Sequence, residues 1–366
     1  MRVSNMLAQQ LGVDAILNQQ ARMTKTQMQL SSGMRVLTPA DDPAAATRAL
    51  DLQEAIRVTT QYQDNIAAAR NRLTTEDSAL DYGTNVLQRA RELAIQGANQ
   101  GALTAQDKRA LEQEARQLLS EMESIVNTVD SNGDYLFSGY RTDAKAYDPA
   151  GAPVAGLEPN PAAPPAYVQN AASVQYVYQG ENSQRLLQIG ASRTIADGDP
   201  GSSVFEDIPS VTTVTTDATA TPPTTASRAF SQNILMVLRN FADALAGKSP
   251  TLPDTGALPP LVDTAALSTE QIDADDTIQD SITNLDAALE QLLNTRTTVG
   301  ARLNALDEQE SLNEKFILDS KSFLSDTQDL DYAEAIGRFN LENTALQAAQ
   351  QAYVKVQGLS LFDFIR

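Results

Sequence analysis

The chain has no cysteine, no histidine and no tryptophan. The first absence removes disulfide frameworks and thiolate chemistry. The second removes imidazole metal ligands, His-dependent nucleophilic triads and the usual proton shuttle near neutral pH. With 5% aromatic residues in all, there is also little from which to build a stacking pocket for a small ligand. Basic residues are in deficit, 27 against 47 acidic ones, which leaves a formal net charge of −20. Such a chain repels phosphate backbones and anionic lipid, so neither nucleic acid nor a membrane is expected as a partner. No run approaches the roughly 20 apolar residues of a membrane span, and residues 1–10 lack the apolar core of a cleavable secretion signal. The expectation is a cytoplasmic chain, or one exported by a route that does not read such a signal.

Carboxylate chemistry alone survives these exclusions, and it finds no site. Asp41-Asp42 and Asp275-Asp276 sit where helix starts use acids to cap N–H groups and complement the dipole. The run from Asp130 to Asp134 begins like a calcium loop, but Tyr135 stands where that loop requires glycine and Arg141 where it requires glutamate. Phosphate-binding glycine loops and dinucleotide fingerprints are missing, and a zinc-peptidase helix is impossible without histidine. No catalytic residue, cofactor or metal site is expected, and the chain is expected not to be an enzyme.

Proline, by contrast, is concentrated: fourteen of the 16 lie between Tyr140 and Ala266, while heptad-patterned sequence fills both flanks. The first flank predicts a helix from Val3 to Ser32 stopped at Gly33, then a second opening at Asp42-Pro43, an N-cap with proline at the first helical position. In that second helix Leu52, Thr59, Ile66, Leu73, Leu80 and Leu87 share one heptad position, and Ala55, Tyr62, Ala69 and Ala90 the position three residues on. Continued to Gly97, it makes a rod of roughly 80 Å. A third helix restarts at Thr104 with Asp107 as its capping-box partner, carries apolar residues from Leu111 to Val129, and is expected to fold back antiparallel on the rod. The second flank is the more regular: Ile278, Ile282, Leu285, Leu289, Leu292, Val299, Leu303, Leu306 and Ile317 follow a coiled-coil seam, and a last helix is expected from Asp331 to a stop at Gly358.

Between the flanks, residues 174–178 and 185–189 alternate as strands, with a turn at 180–183 that would join them as a hairpin. The Thr-, Ala- and Pro-rich run 212–225 reads as an exposed linker or loop, and a short helix is expected from Phe230 through Leu245. The fold expected is mainly α with an inserted β-rich domain, its body a long antiparallel bundle of N- and C-terminal segments. Three domains follow: a terminal helical assembly domain (1–37 with 329–366), a rod-like helical bundle (38–140 with 226–328) and an outer β-rich, Pro/Thr-rich insertion (141–225).

Charge separates the ends from the rods. Residues 1–33 carry only Arg2, Asp14, Arg22 and Lys25, and residues 343–362 only Lys355. One helix pair hides a single stripe of each partner, so two charge-poor helices need further neighbours. The expected assembly interface comprises Val3, Met6, Leu7, Leu11 and Ile16 at one end, and Leu346, Ala349, Tyr353, Val356, Leu359, Leu361 and Phe362 at the other. A reading of a different class, a carboxylate-based enzyme or adhesin, would have to reside in residues 141–265.

The segment LSSGMRVLTPADDPAAA at 30–46 resembles the junction shared by flagellins and their relatives at the hook. ARELAIQGAN at 90–99 is similar to the next helical block of that superfamily, and LSLFDFI at 359–365 to its closing motif. Within the superfamily, DYLFSG at 134–139 is similar to relatives at the hook–filament junction, where flagellins usually have a shorter Phe-Asn-Gly. The resemblance covers roughly 1–140 and 270–366. It implies a structural junction subunit, exported unfolded through the flagellar type III apparatus and placed outside the cell between hook and filament. The partners it implies are a ring of copies of itself, the first hook-associated junction protein, flagellin, the filament cap during assembly and an export chaperone. A flagellin proper, the bulk filament subunit, is the alternative.

Overall fold

The computed structural model describes residues 2–99, 103–148, 156–159, 167–170, 176–217, 224–247 and 274–362. Helices dominate: α1 (Arg2–Ser32), α2 (Pro43–Gly97), α3 (Ala105–Val126), the short α4 (Gly201–Val204), α5 (Ile234–Leu245), α6 (Ala274–Gln328) and α7 (Tyr332–Phe362). The chain divides into two compact units, Met1–Gln61 with Ser311–Arg366, and Tyr62–Glu310. Both long helices, α2 and α6, contribute to each.

In the unit formed by residues 62–310, the heptad seams became a dry core. Ile66, Leu73, Leu80 and Leu87 of α2 and Leu285, Leu292, Val299 and Leu306 of α6 are fully buried in one cluster. Ion pairs on the rim fix an antiparallel register: Arg70 with Asp307 at 2.7 Å, and Arg296 with Asp77 and Asp81 at 3.0 and 2.7 Å. Gly83 takes a seam position where a side chain would meet Leu292 of α6 as well as Met122 and Ile125 of α3, so its smallness lets three helices converge. Thr104 caps α3 through the Asp107 N–H, while Asp107 accepts in return from the Thr104 N–H at 2.9 Å. α3 runs antiparallel to α2, with Arg89 paired to Glu114 at 2.7 Å. It ends at Val126, so Val129, expected on its apolar face, is instead half-exposed in a bridge to Tyr135.

The middle of the chain departs furthest from expectation. Among the described residues its strands form four two-stranded antiparallel ladders: β1 (Tyr147–Asp148) with β4 (Val177–Tyr178), β2 (Gly156–Pro159) with β3 (Tyr167–Asn170), β5 (Leu186–Gln188) with β6 (Thr194–Ala196), and β7 (Ile208–Asp217) with β8 (Thr224–Gln232). The two predicted strands are present but do not pair with each other. The turn between them is occupied elsewhere, the Glu181 N–H donating to the Ser138 carbonyl at 3.0 Å. Positions 174 and 175 of the first lie outside the described residues. The Thr-rich stretch is the long hairpin β7–β8 rather than a linker, with 218–223 outside the described residues. Threonine is β-branched and suits a pleated, half-buried strand, and the β7 backbone is anchored on α6, the Val211 N–H donating to Asn284 Oδ1 at 2.7 Å. Phe230 therefore belongs to β8, and the helix begins at Ile234, capped by Asn233 Oδ1 accepting from the Met236 N–H at 2.9 Å. Almost every residue of α5 is buried, and its buried polar residues are partnered, Asn240 donating to Gln232 Oε1 at 2.8 Å and Asp243 accepting from Arg116 at 3.0 Å.

In the other unit, α1 and α7 pair antiparallel. Tyr353 lies over Gly12, and the Gln19 side-chain amide donates to the Glu342 carbonyl at 3.2 Å. α7 does not stop at Gly358 but continues to Phe362. A glycine ends a helix by adopting positive φ with its carbonyl-capping bonds, and here the backbone stays helical.

Candidate assembly surface

The turn that carries the 30–46 motif is a clamp between the helix ends. Gly33 has φ +72°, a conformation that favours glycine, and its carbonyl accepts from the Leu330 N–H at 2.9 Å. The Arg35 N–H donates to the Gln328 carbonyl at 2.8 Å, and the Arg35 guanidinium to the Thr327 carbonyl at 2.8 Å, which ties the entry of α2 to the exit of α6. Gln29 closes the turn from α1, its amide donating to the Arg35 carbonyl at 2.6 Å. The paired acids divide the labour. Asp42 caps α2 by accepting from the Ala45 N–H at 3.0 Å. Asp41 takes the Leu37 and Thr38 N–H groups and the Lys25 ammonium at 2.6 Å. The Lys25 hydrogen bond, followed by that from Thr38, holds the Asp41 carboxyl down at about 2.

Around this clamp the unit buries little apolar matter. Its buried positions include Thr26 and Gln29 on α1, Thr59 on α2, and Asn313 and Ser320 on α6, which continue the α6 seam that runs through Val299 and Leu306. Val36, Leu330 and Leu346 are also buried, but many of the large apolar side chains face outward. Leu7, Leu11 and Leu17 on α1, Leu341 and Val354 on α7, and Leu318 and Phe323 on α6 are all more than half exposed, Leu341 reaching 71%. An apolar face of that extent on a charge-poor helix pair is what an association surface requires.

The expected interface residues separate into three groups. Leu7 and Leu11 are exposed on α1, and Ile16 is half-buried. Leu346, Ala349 and Tyr353 turn inward to differing degrees: Leu346 is buried, and Tyr353 packs on Gly12 inside the same chain. Val3 and Met6 lie in α1 and Val356, Leu359, Leu361 and Phe362 in α7, with side chains outside the described ones. Sequence reasoning passed over Leu17, Met28, Ile336, Leu341 and Val354, and the Leu312, Phe316 and Phe323 stripe on α6. The last three stand off the seam positions, and large apolar residues off the seam are the signal that could have found them.

The DYLFSG segment has a different task. Leu136, Phe137 and Ser138 are buried, Phe137 meets Phe205 edge-on at 4.8 Å between ring centroids, and the Tyr178 hydroxyl donates to the Phe137 carbonyl at 2.9 Å. Gly139 has φ +64°, and a side-chain carbon there would fall 2.0 Å from the Glu181 carbonyl oxygen. The motif therefore locks the β-rich insertion into the core and does not present a surface. Among the described residues no group of acids could hold a metal ion, and no helix is long and apolar enough to cross a membrane.

Comparison with known proteins agrees with the motifs. Residues 3–142 match the bacterial flagellin N-terminal helical region. The flagellar hook-associated protein 3 of Escherichia coli is 29% identical over 363 residues, 99% of each chain. The flagellin FlaB1 of Treponema pallidum is 33% identical, but over 30% of this chain and 38% of its own. The crystal structure of flagellar hook-associated protein 3 from Legionella pneumophila has the same fold, with a TM-score of 0.56 at 21% identity, covering 75% of this chain and 97% of that one. Residues 3–142 are thus similar to the flagellin N-terminal region, and along its whole length the chain is similar to the hook-associated protein 3 sequences.

Proposed function

We infer that this chain is a structural subunit of the bacterial flagellum that joins hook to filament, for motility, and does so by self-assembly through its terminal helices. One observation carries the assembly reading: the unit with polar seams is the unit many of whose large apolar side chains face outward. End-to-end likeness to hook-associated protein 3, against likeness to flagellins over about a third of the chain, favours a junction subunit over a bulk one.

The wider reading follows the superfamily. Copies of the chain form a ring between the first hook-associated junction protein and flagellin, and meet the filament cap while the filament is being started. Residues 1–37 and 329–366 make the assembly domain, 38–140 and 226–328 the rod, and 141–225 the outward decoration. The chain reaches the cell exterior unfolded through the type III apparatus, and an export chaperone covers the apolar C-terminal helix beforehand. Its role is mechanical and non-enzymatic. Imaging the hook–filament junction in cells with and without the chain tests the reading: hooks without filaments are expected in its absence, and retained filaments overturn it. Removing residues 347–366 is expected to abolish filament attachment while leaving the β-rich insertion folded. Copy number separates the flagellin alternative, a few per filament for a junction subunit and thousands for a filament subunit.

A further inference from the structure

Glu76 is a charge buried at a seam position of α2, between Ala69 and Gly83 in the heptad series. Its side chain is 1% exposed. Oε1 accepts from the Asp199 N–H at 3.2 Å, and Oε2 has no hydrogen-bond partner. The surrounding charges are largely committed to other groups, although Arg72 Nε, like Glu76 Oε2, is buried without a hydrogen-bond partner. Arg302 of α6 holds the Asp199 carboxylate with two bonds of 2.9 Å, and Gln184 donates to the same carboxylate at 2.6 Å. Arg72, one turn back on α2, donates to the Leu136 and Tyr135 carbonyls at 3.0 and 3.2 Å and pairs with Asp130 beyond α3 at 3.4 Å. Asp197, two residues before Asp199, is paired with Arg185 of the chain entering β5. Glu76 is thus a buried acid beside a second carboxylate, without an ion pair of its own among the described residues.

We propose that Glu76 is a proton-dependent latch: as a neutral acid it seats the 197–201 loop of the β-rich insertion on α2, and its ionisation loosens that seat. Removal from water disfavours the charged form first, and the Asp199 carboxylate adds to this, while the Asp199 N–H, Arg302 and Arg72 oppose it only in part. Together they push the acid up to about 8. An acid raised in the folded chain keeps its proton there after the unfolded chain has lost it. Stability from this group is therefore full below the ordinary glutamate range, falls as pH rises, and is exhausted above about 8. Glu76→Gln keeps the acceptor for the Asp199 N–H and removes the titration.

The test uses the full chain, with urea unfolding between pH 5 and 9.5 and hydrogen exchange corrected for intrinsic rates. The expected result is a folding constant of the unsubstituted chain that falls relative to Glu76→Gln by up to about a thousandfold across that range, with protection of 197–201 lost in step. Carboxyl-carbon NMR of Glu206→Gln, which removes the other upshifted glutamate, is expected to retain one glutamate titrating above pH 7. A constant gap between the two chains at every pH, or a Glu76 carboxyl titrating in the ordinary range, overturns the proposal. Should Glu76→Gln not fold, the NMR titration decides alone.

Discussion

The two units share the long helices α2 and α6 and their heptad habit, yet they put it to opposite uses. Between residues 62 and 310 the seam of α6 presents Leu292, Val299 and Leu306, and the core closes over them. One and two heptads further on the same positions hold Asn313 and Ser320, and the apolar side chains leave the seam for the outer face. A leucine seam buries area at about 25 cal/mol per Å² and makes a helix pair sufficient to itself. A seam of Asn, Ser, Thr and Gln gains little from burial and holds the pair through short-range polar contacts, which leaves the outward leucines and phenylalanines uncovered within the chain, as the proposed assembly requires. The period of a heptad tells where a seam runs, and the residues in it tell whether it is finished within one chain.

Paired substitutions sharpen that contrast most. Leu80→Ala, in the dry core, is expected to cost about 2–5 kcal/mol by urea denaturation. Leu341→Ala, on the open face of α7, is expected to change monomer stability by about 0.5 kcal/mol or less yet to weaken filament attachment; a large stability loss at Leu341 would break the comparison. Two of the glycines at positive φ come next. Gly139→Ala forces a carbon against a backbone carbonyl and is expected to cost about 3 kcal/mol. Gly33→Ala meets only the movable tip of Tyr332 and is expected to cost about 1 kcal/mol. The smallest effect belongs to Asp41→Asn. Because the Asp41 carboxyl is held down at about 2, its contribution is present above the ordinary aspartate range and is lost as pH falls from about 4 toward 2. NMR of the clamp between Gly33 and Leu330 over that interval is expected to show loosening in the unsubstituted chain, with little further change in Asp41→Asn.

The helices were legible because their ends are chemically marked. Asp42-Pro43 and Thr104 with Asp107 set α2 and α3 to the residue, and the leucine repeat set the antiparallel core. The β-rich middle was legible only in part, since its pairings are remote in sequence. β4 finds β1 across some thirty residues, and β7 is anchored through Thr213 and Val211 on Asp280 and Asn284 of α6. Glu76 could be placed on a seam from its heptad number, but its environment is supplied by Asp199 and Arg302, which local sequence does not connect to it. The terminal unit was legible as a charge-poor region, but which of its faces stays open was not. α1 and α7 carry apolar residues on several sides, and it takes contacts such as those of Tyr353 with Gly12 and Gln19 with Glu342 to tell which side is already taken.

Hydrogen exchange on the free subunit and on the assembled flagellum tests the central claim most directly. If the terminal unit is completed by neighbours, the α2 amides between Ile66 and Ala94 are strongly protected in both states, whereas those of α1 and α7 exchange rapidly in the free chain and become protected on assembly. Protection of α1 and α7 in the free chain equal to that of the α2 core would contradict it.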